Sequence, residues 1–146
     1  VSLPDLARRM AERMQTQTTR HKIQTSFPEN FPTVLGDEDR LEQVLTNLLS
    51  NAIKYSPGGE IWIRGEVRRE HVIVCVSDQG PGIAPDDIPH VFDRFYRGPA
   101  IARRTKGAGL GLYLSRAIIE AHGGRMWLDS EQGKGARICF SIPIQE

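Results

Sequence analysis

The sequence lacks any long hydrophobic run. Its apolar stretches are far shorter than the roughly 18 residues that a membrane-spanning helix requires. The segment that begins at Val1 mixes Arg, Glu and Met and has no apolar core of the kind found in signal peptides. We therefore expect a cytoplasmic domain that makes no membrane contact itself. Because Val1 already lies within a helical pattern, the chain is still compatible with being a fragment of a membrane-anchored protein.

Cysteine is scarce as well. Cys75 and Cys139 are the only two, and each lies alone in an apolar, strand-like run. Without CxxC spacing they predict neither a zinc site nor a disulfide scaffold. We expect both to be reduced core residues, as is usual in the cytosol. The four histidines show no metal-ligand spacing.

An excess of charge of either sign is also missing. The formal net charge is +1, from 19 basic and 18 acidic residues. No overall field attracts nucleic acid or an anionic membrane, so a basic site has to be local. A length of 146 residues predicts one domain over 1–146, and we expect it to be monomeric in isolation.

The hydrophobic periodicity predicts an α+β fold. Apolar residues at helical spacing predict an opening helix, a second helix capped by Asp37 and reaching about Tyr55, and a third from Leu110 to Ala121. A short helical piece is expected near Asp86–Val91. The expected architecture is a two-layer α/β sandwich, with a mixed, mostly antiparallel sheet covered on one face by helices. The predicted strands are Lys22–Phe27, Thr33–Leu35, Ile61–Val67, Val72–Ser77, Arg125–Asp129 and Ala136–Ile142.

A polar stripe runs along the second helix. Asn47, Asn51, Lys54 and Tyr55 are spaced so that they share one side of it. A solvated helix face is the ordinary explanation. Asn is a poor helix former, however, and its side-chain oxygen is a suitable ligand for Mg²⁺.

Two glycine-rich segments follow. Asp78-Gln-Gly-Pro-Gly82 comes directly after a strand, where it is either a plain turn or a close approach of the backbone to a ligand. The carboxylate of Asp78 can accept a hydrogen bond from an exocyclic amine such as that of adenine. Lys106-Gly-Ala-Gly-Leu-Gly-Leu112 leads into the third helix, as either a flexible entry or an anion site. Its spacing fits neither a Walker A motif nor a dinucleotide fingerprint.

An aromatic and basic stretch lies between these two segments. Phe92, Phe95 and Tyr96 precede the bases Arg97, Arg103, Arg104 and Lys106. Aromatic anchors beside a basic loop favour a lid that closes over phosphates. A nucleic-acid patch is the alternative, but only this one loop is basic.

In this order the four motifs resemble the N, G1, F and G2 boxes of the histidine-kinase catalytic domain. That domain belongs to the superfamily of gyrase, chaperone, histidine-kinase and MutL ATP-binding folds, and the resemblance covers roughly Leu3 to Pro143. It implies a Bergerat-type fold that binds ATP and Mg²⁺, with an ATP lid at about 92–109. The implied reaction transfers the ATP γ-phosphoryl group to a histidine, for relay to an aspartate of a response regulator in two-component signal transduction.

The resemblance also implies site residues. Asn51 would ligate Mg²⁺, with Asn47 beside the phosphates or the metal shell and Lys54 on phosphate. Asp78 would bind the adenine amine, and Arg97 and Lys106 would reach the γ-phosphate. The catalytic set is then Asn47, Asn51, Lys54, Arg97 and Lys106. The implied nucleotide contacts are Asn47, Asn51, Lys54, Tyr55, Asp78, Gly80, Gly82, Ile83, Phe95, Lys106, Gly107, Gly109, Leu110, Gly111 and Leu112.

The sequence departs from such kinases at Ala108 and Ala136, where hydroxyl residues are common. Asn47 stands where the chaperone and gyrase relatives have a Glu that activates water, so we expect slow hydrolysis of ATP. None of the four histidines is followed by the acidic residue that typically marks the phosphate acceptor. We therefore expect the acceptor on a separate, upstream dimerisation domain. A serine-specific relative and a nucleotide binder without turnover remain as alternatives.

Overall fold

The computed structural model describes residues 1–92, 112–130 and 134–144. The helices are α1 (Leu3–Gln15), α2 (Glu38–Tyr55) and α3 (Leu112–Ala121), with a 3-10 turn at Ile88–His90. The strands are β1 (His21–Ser26), β2 (Gly59–Arg68), β3 (His71–Ser77), β4 (Arg125–Ser130) and β5 (Ala136–Pro143).

The helices begin where the sequence supplies capping groups. Ser2 caps α1 by accepting a hydrogen bond from the Asp5 amide. Asp37 caps α2 in the same way, with its Oδ1 3.2 Å from the Arg40 amide nitrogen. Each cap satisfies one amide that the helix itself leaves without an acceptor. The prediction of a helix capped by Asp37 and ending at Tyr55 is confirmed.

The strands form one mixed sheet in the order β1-β2-β3-β5-β4. β1 pairs with β2 in parallel, and the other three pairings are antiparallel. Side chains alternate between the faces, so that Val72, Val74 and Val76 of β3 are buried beneath the helices. The predicted α+β sandwich with a mostly antiparallel mixed sheet is confirmed.

The core lies between that face of the sheet and the three helices. Among its fully buried side chains are Leu6 of α1, Leu48 of α2, Ile119 of α3 and Phe140 of β5. α2 contacts both other helices and β3, so its central position fixes where its polar stripe lies relative to the strand ends. No helix in the described ranges is long and apolar enough to cross a membrane.

One local prediction is wrong, and another is confirmed over a shorter range. Thr33–Leu35 is not a strand: Val34 exchanges two backbone hydrogen bonds with Val1, of 2.8 and 3.1 Å, and no ladder continues from them. Pro32 precedes this segment and has no N–H to donate to a ladder. The short helical piece predicted near Asp86–Val91 is confirmed as the 3-10 turn Ile88–His90.

The prediction of reduced cysteines is also wrong. Cys75 and Cys139 are joined by a disulfide, with their Cα atoms 4.1 Å apart. The reason is the sheet register, which places Cys75 of β3 directly opposite Cys139 of β5. The two are 64 residues apart, so their spacing in the sequence gave no indication of this pairing.

Candidate functional site

A cleft lies where α2 meets the ends of β3 and β5. Helical spacing of i, i+3, i+4 and i+7 brings four α2 residues to it on one side. The segment after β3 and the first residues of β5 supply the other side. The lining residues are Leu48, Asn51, Ala52, Tyr55, Val76, Asp78, Gly82, Ile83, Ala136 and Ile138.

The carboxylate of Asp78 is held in a fixed orientation in this cleft. Its Oδ1 accepts hydrogen bonds from the backbone amides of Gly80, at 2.8 Å, and Ala136, at 3.4 Å. The Asp78 amide in turn donates to the Ala136 carbonyl at 3.0 Å. Within the described residues the second carboxylate oxygen has no hydrogen bond. It is therefore the oxygen that can accept a bond from a ligand.

Burial raises the pKa of the Asp78 carboxyl above its ordinary value. The amides of Gly80 and Ala136 and the nearby ring of His21 oppose that rise, because each favours the charged form. Asp78 is half-buried, and a partly desolvated carboxylate that is hydrogen-bonded through one oxygen, in a cleft, is a candidate for binding a ligand.

Glycines make the close approach around Asp78 possible. A Cβ on Gly80 would lie 3.0 Å from both Asp78 Oδ1 and Ser56 Cα. Gly135 has a φ of +91° and lies against the Asp78 carbonyl, where a side chain would collide with backbone. Gly80, after β3, and Gly135, before β5, therefore both allow the backbone to approach one carboxylate closely.

The residues of the polar stripe of α2 do not all line the cleft. Asn51 and Tyr55 are buried and line the cleft, whereas Lys54 is exposed and is not among the lining residues. Asn47 lies one turn away in an adjoining groove. Its Nδ2 donates to Ser115 Oγ at 2.8 Å and so joins α2 to α3. The structure therefore brings Asn51, Tyr55 and Asp78 together, with Asn47 beside them.

Hydrogen bonds behind the cleft involve Ser130 and His21, which the sequence did not single out as site residues. The Ile83 amide donates to Ser130 Oγ at 2.6 Å, and Ser130 Oγ lies 3.4 Å from the Gly135 carbonyl. His21 is buried, with Nε2 2.9 Å from the Ser56 carbonyl. The sequence carried no signal for the contacts of Ile83 and His21, because each joins residues far apart in the chain. Strand alternation could have marked Val76 and Ile138 as facing the helices, but not their pairing.

The remaining predicted site residues lie at the edge of the described ranges or outside them. Phe92 is half-buried, and the guanidinium of Arg116 lies 5.1 Å from the centre of its ring. Leu112 begins α3 and is wholly buried in the core. The predicted residues outside the described ranges are Phe95, Arg97, Arg103, Arg104, Lys106, Gly107, Gly109, Leu110 and Gly111.

No cluster of three or more His, Cys, Asp or Glu side chains suited to a metal ion occurs in the described part of the chain. A cation at the cleft would therefore be held by other oxygen donors. The buried amide of Asn51 is such a donor, and Mg²⁺ is commonly held by few protein oxygens together with phosphate and water.

Comparison with known proteins places this geometry in a family. Residues 36–146 match the model of the histidine kinase-, DNA gyrase B- and HSP90-like ATPases. The chain is 45% identical over 125 residues to the sensor histidine kinase WalK of Bacillus subtilis, an alignment that covers 83% of this chain and 20% of WalK. In eight of the curated relatives that it matches, the chain spans between 14% and 34% of their length.

Solved structures agree. The mycobacterial sensor histidine kinase MprB is 30% identical with a TM-score of 0.88, over 99% of this chain and 97% of that one. Full-length ShkA in complex with AMPPNP is 33% identical with a TM-score of 0.86, over 99% and 30%. The histidine kinase ThkA in complex with the response regulator protein TrrA is 28% identical with a TM-score of 0.81, over 99% and 41%.

The chain belongs to the histidine kinase-, DNA gyrase B- and HSP90-like ATPases, and within them to the catalytic ATP-binding domains of sensor histidine kinases. Such kinases are transferases of two-component signalling.

Proposed function

We propose that this chain binds Mg-ATP in the cleft between α2 and the ends of β3 and β5. It would present the γ-phosphoryl group to a histidine on a separate dimerisation domain, for relay to an aspartate of a response regulator. The observation that carries the proposal is the position of Asp78, Asn51 and Tyr55 in one cleft, on the fold of a nucleotide-binding family.

Asp78 would select the adenine base. One of its carboxylate oxygens is already fixed by the Gly80 and Ala136 amides, so the other is oriented without further loss of freedom. An acceptor at that point suits the exocyclic amine of adenine and disfavours the carbonyl that guanine has in the same place. Tyr55, Gly80, Gly82 and Ile83 would form the surrounding wall.

Asn51 would contribute the metal ligand. Mg²⁺, when bound, neutralises phosphate charge and helps to position the γ-phosphoryl group. The buried amide of Asn51 fits that cation in donor type. We further assign phosphate contacts to Lys54 and to the segment before α3, namely Arg97, Lys106, Gly107, Gly109 and Gly111, with Phe92 and Phe95 as anchors of the lid at 92–109.

Asn47 would restrict the reaction to phosphoryl transfer. An amide cannot act as a general base, so it cannot activate water for hydrolysis. In the structure this amide is directed at Ser115 of α3. Bound ATP should consequently turn over slowly until a histidine nucleophile is supplied.

The partners follow from the same proposal. The acceptor histidine and the dimerisation domain would belong to another part of the protein, and ThkA provides a precedent for contact between a histidine kinase and a response regulator. Use of ATP places the domain in the cytoplasm, within a receptor kinase that we expect to be anchored in the membrane.

The test is phosphoryl transfer from radiolabelled Mg-ATP to a separately produced dimerisation domain of a related kinase. Acid-labile, base-stable phosphate on the partner supports the proposal. Acid-stable phosphate would indicate a serine kinase, and nucleotide binding without transfer to any partner would indicate a silent binder. Asn51→Ala should abolish Mg-ATP binding and transfer while leaving the circular dichroism spectrum unchanged. The exposed Gln17→Ala, an amide lost just after α1 and away from both grooves, is the control and should retain both activities.

A further inference from the structure

The face of the sheet away from the helices carries a cysteine pair at its centre. The register aligns Arg64, Cys75, Cys139 and Trp127 in one row across β2, β3, β5 and β4. These four side chains line a groove in that face. The disulfide thus lies on the floor of an accessible groove, on the opposite side of the sheet from the nucleotide cleft.

Strand pairing keeps the two sulfurs opposed whether or not they are bonded. The Asp78 amide donates to the Ala136 carbonyl, and hydrogen-bonded pairs recur at every second position from there. Cys75 and Cys139 therefore form a non-hydrogen-bonded pair, which is the closer kind, in agreement with their Cα separation of 4.1 Å. Opening the disulfide keeps the strand pairing but removes the covalent tie between β3 and β5.

The two sulfurs differ in access. Cys139 is 1% exposed, whereas Cys75 is half-buried and lines the groove. Attack by a small thiol is therefore expected at the sulfur of Cys75.

A dithiol reduces the disulfide in two exchange steps. A dithiol thiolate bonds to the Cys75 sulfur, and Cys139 leaves as a thiolate. The second thiol of the reagent gives its proton to the Cys139 thiolate and then displaces Cys75. Cys75 leaves as a thiolate and takes up a proton from the solvent, and the reagent becomes a cyclic disulfide. Two electrons pass from reagent to protein. Oxidation by a low-molecular-weight disulfide reverses these steps and releases two small thiols.

The cysteine pair is adjacent to the residues of the nucleotide cleft. The next pair along the same strands is Val76 with Ile138, and both of these residues line the cleft from the helix-covered face. Two positions further, Asp78 bonds to Ala136. A covalent link at Cys75 thus fixes the spacing of the two strands that hold the cleft floor and its carboxylate.

We propose that Cys75 and Cys139 form a reversible redox pair that tunes nucleotide binding, with the oxidised form binding more tightly. This inference rests on the proposed function, since a domain that uses ATP works in a compartment whose thiol pools keep most cysteines reduced. A disulfide there acts as a reversible modification. The disulfide preorganises the cleft before the nucleotide binds, so that less conformational entropy is lost on binding.

The experiment uses the whole chain in its oxidised form, after dithiothreitol, and after reoxidation by oxidised glutathione. Alkylation and mass spectrometry count free thiols, thermal unfolding gives the Tm, and calorimetry gives the Kd for Mg-ATP. We expect no free thiols in the oxidised protein, two after dithiothreitol and none after reoxidation. The fold should be retained in all three states, and reduction should lower the Tm by about 10 °C. Reduction should raise the Kd by about 5-fold or more. The Cys75→Ala/Cys139→Ala variant is the control, and its Kd should not respond to either reagent.

Two results would overturn the redox pair: a disulfide that stays closed in the folded protein under excess dithiothreitol, or a wild-type Kd that is equal in both states. Failure of the proposed function looks different, because Mg-ATP would then bind in neither state while the thiols still cycle. Absence of Mg-ATP binding in both states would reject the proposed function, and with it the redox effect on nucleotide binding. Equal Kd values in the two states would reject only the redox effect.

Discussion

The backbone amide of Gly80 donates a 2.8 Å hydrogen bond to Oδ1 of Asp78. Gly80 can come so close because it has no Cβ, which would lie 3.0 Å from that same oxygen. The bond commits one carboxylate oxygen to the fold and leaves the other for a ligand. The geometry of the candidate site therefore depends on a contact between residues only two apart.

The first prediction concerns pH. Because burial raises the pKa of Asp78 above 3.8, the folded state binds more protons than the unfolded state between 3.8 and the raised value. The contribution of Asp78 to the free energy of unfolding should therefore fall as pH rises through that window and stay constant above it. Urea unfolding of the wild type and of Asp78→Asn at a series of pH values measures this. The free energy of unfolding of the wild type minus that of Asp78→Asn should decrease as the pH rises. An increase would mean that hydrogen bonding outweighs burial.

The second prediction compares two glycines with positive φ. Gly135 has a φ of +91° and Gly123 a φ of +80°, but only Gly135 lies against the backbone of Asp78. Gly123→Ala should cost about 1 kcal/mol of unfolding free energy, which is the conformational penalty alone. Gly135→Ala should cost roughly 3 kcal/mol, since overlap with the Asp78 carbonyl adds to that penalty.

Nucleotide affinity separates the same two variants. Gly135→Ala should weaken Mg-ATP binding, because it displaces the neighbouring Ala136 amide from the Asp78 carboxylate. Gly123→Ala, at the end of α3, should leave the affinity unchanged. Calorimetry on both variants checks this, and equal losses of affinity would argue against a site at Asp78.

The third prediction concerns the bond between α2 and α3. Asn47 Nδ2 donates to the buried Ser115 Oγ at 2.8 Å. A double-mutant cycle with Asn47→Ala and Ser115→Ala should give a coupling of about 1 kcal/mol in the free energy of unfolding. Chemical denaturation of the four proteins measures it. Strictly additive effects would show that the pair does not join the helices.

Local patterns in the sequence predicted the parts of the molecule that local interactions determine. The cap at Asp37, the extent of α2 and the glycine turn after Asp78 all depend on residues a few positions apart. The predicted strand at Thr33–Leu35 is wrong because alternation of apolar residues does not reveal whether a partner strand exists.

Contacts between distant segments were not predicted, for a related reason. The Ala136 amide at Asp78 and the Cys75–Cys139 disulfide both depend on the pairing of β3 with β5. Nothing in either segment alone specifies that register. The resemblance to histidine kinases supplied the candidate site residues, but the division of Asn47 and Asn51 between two grooves came from the packing of α2 against α3.

The fourth prediction concerns Asp78, the residue assigned to the adenine base. Measuring the Kd of the Asp78→Asn variant for Mg-ATP tests this assignment most directly. In that variant the Gly80 and Ala136 amides should hold the amide oxygen, so the NH₂ group faces the cleft. A donor there opposes the adenine amine, and affinity should fall by about 10-fold or more. Asp129→Asn, a strand residue on the other face of the sheet, is the control and should bind as the wild type does. An Asp78→Asn variant with wild-type affinity for Mg-ATP would contradict the proposed site.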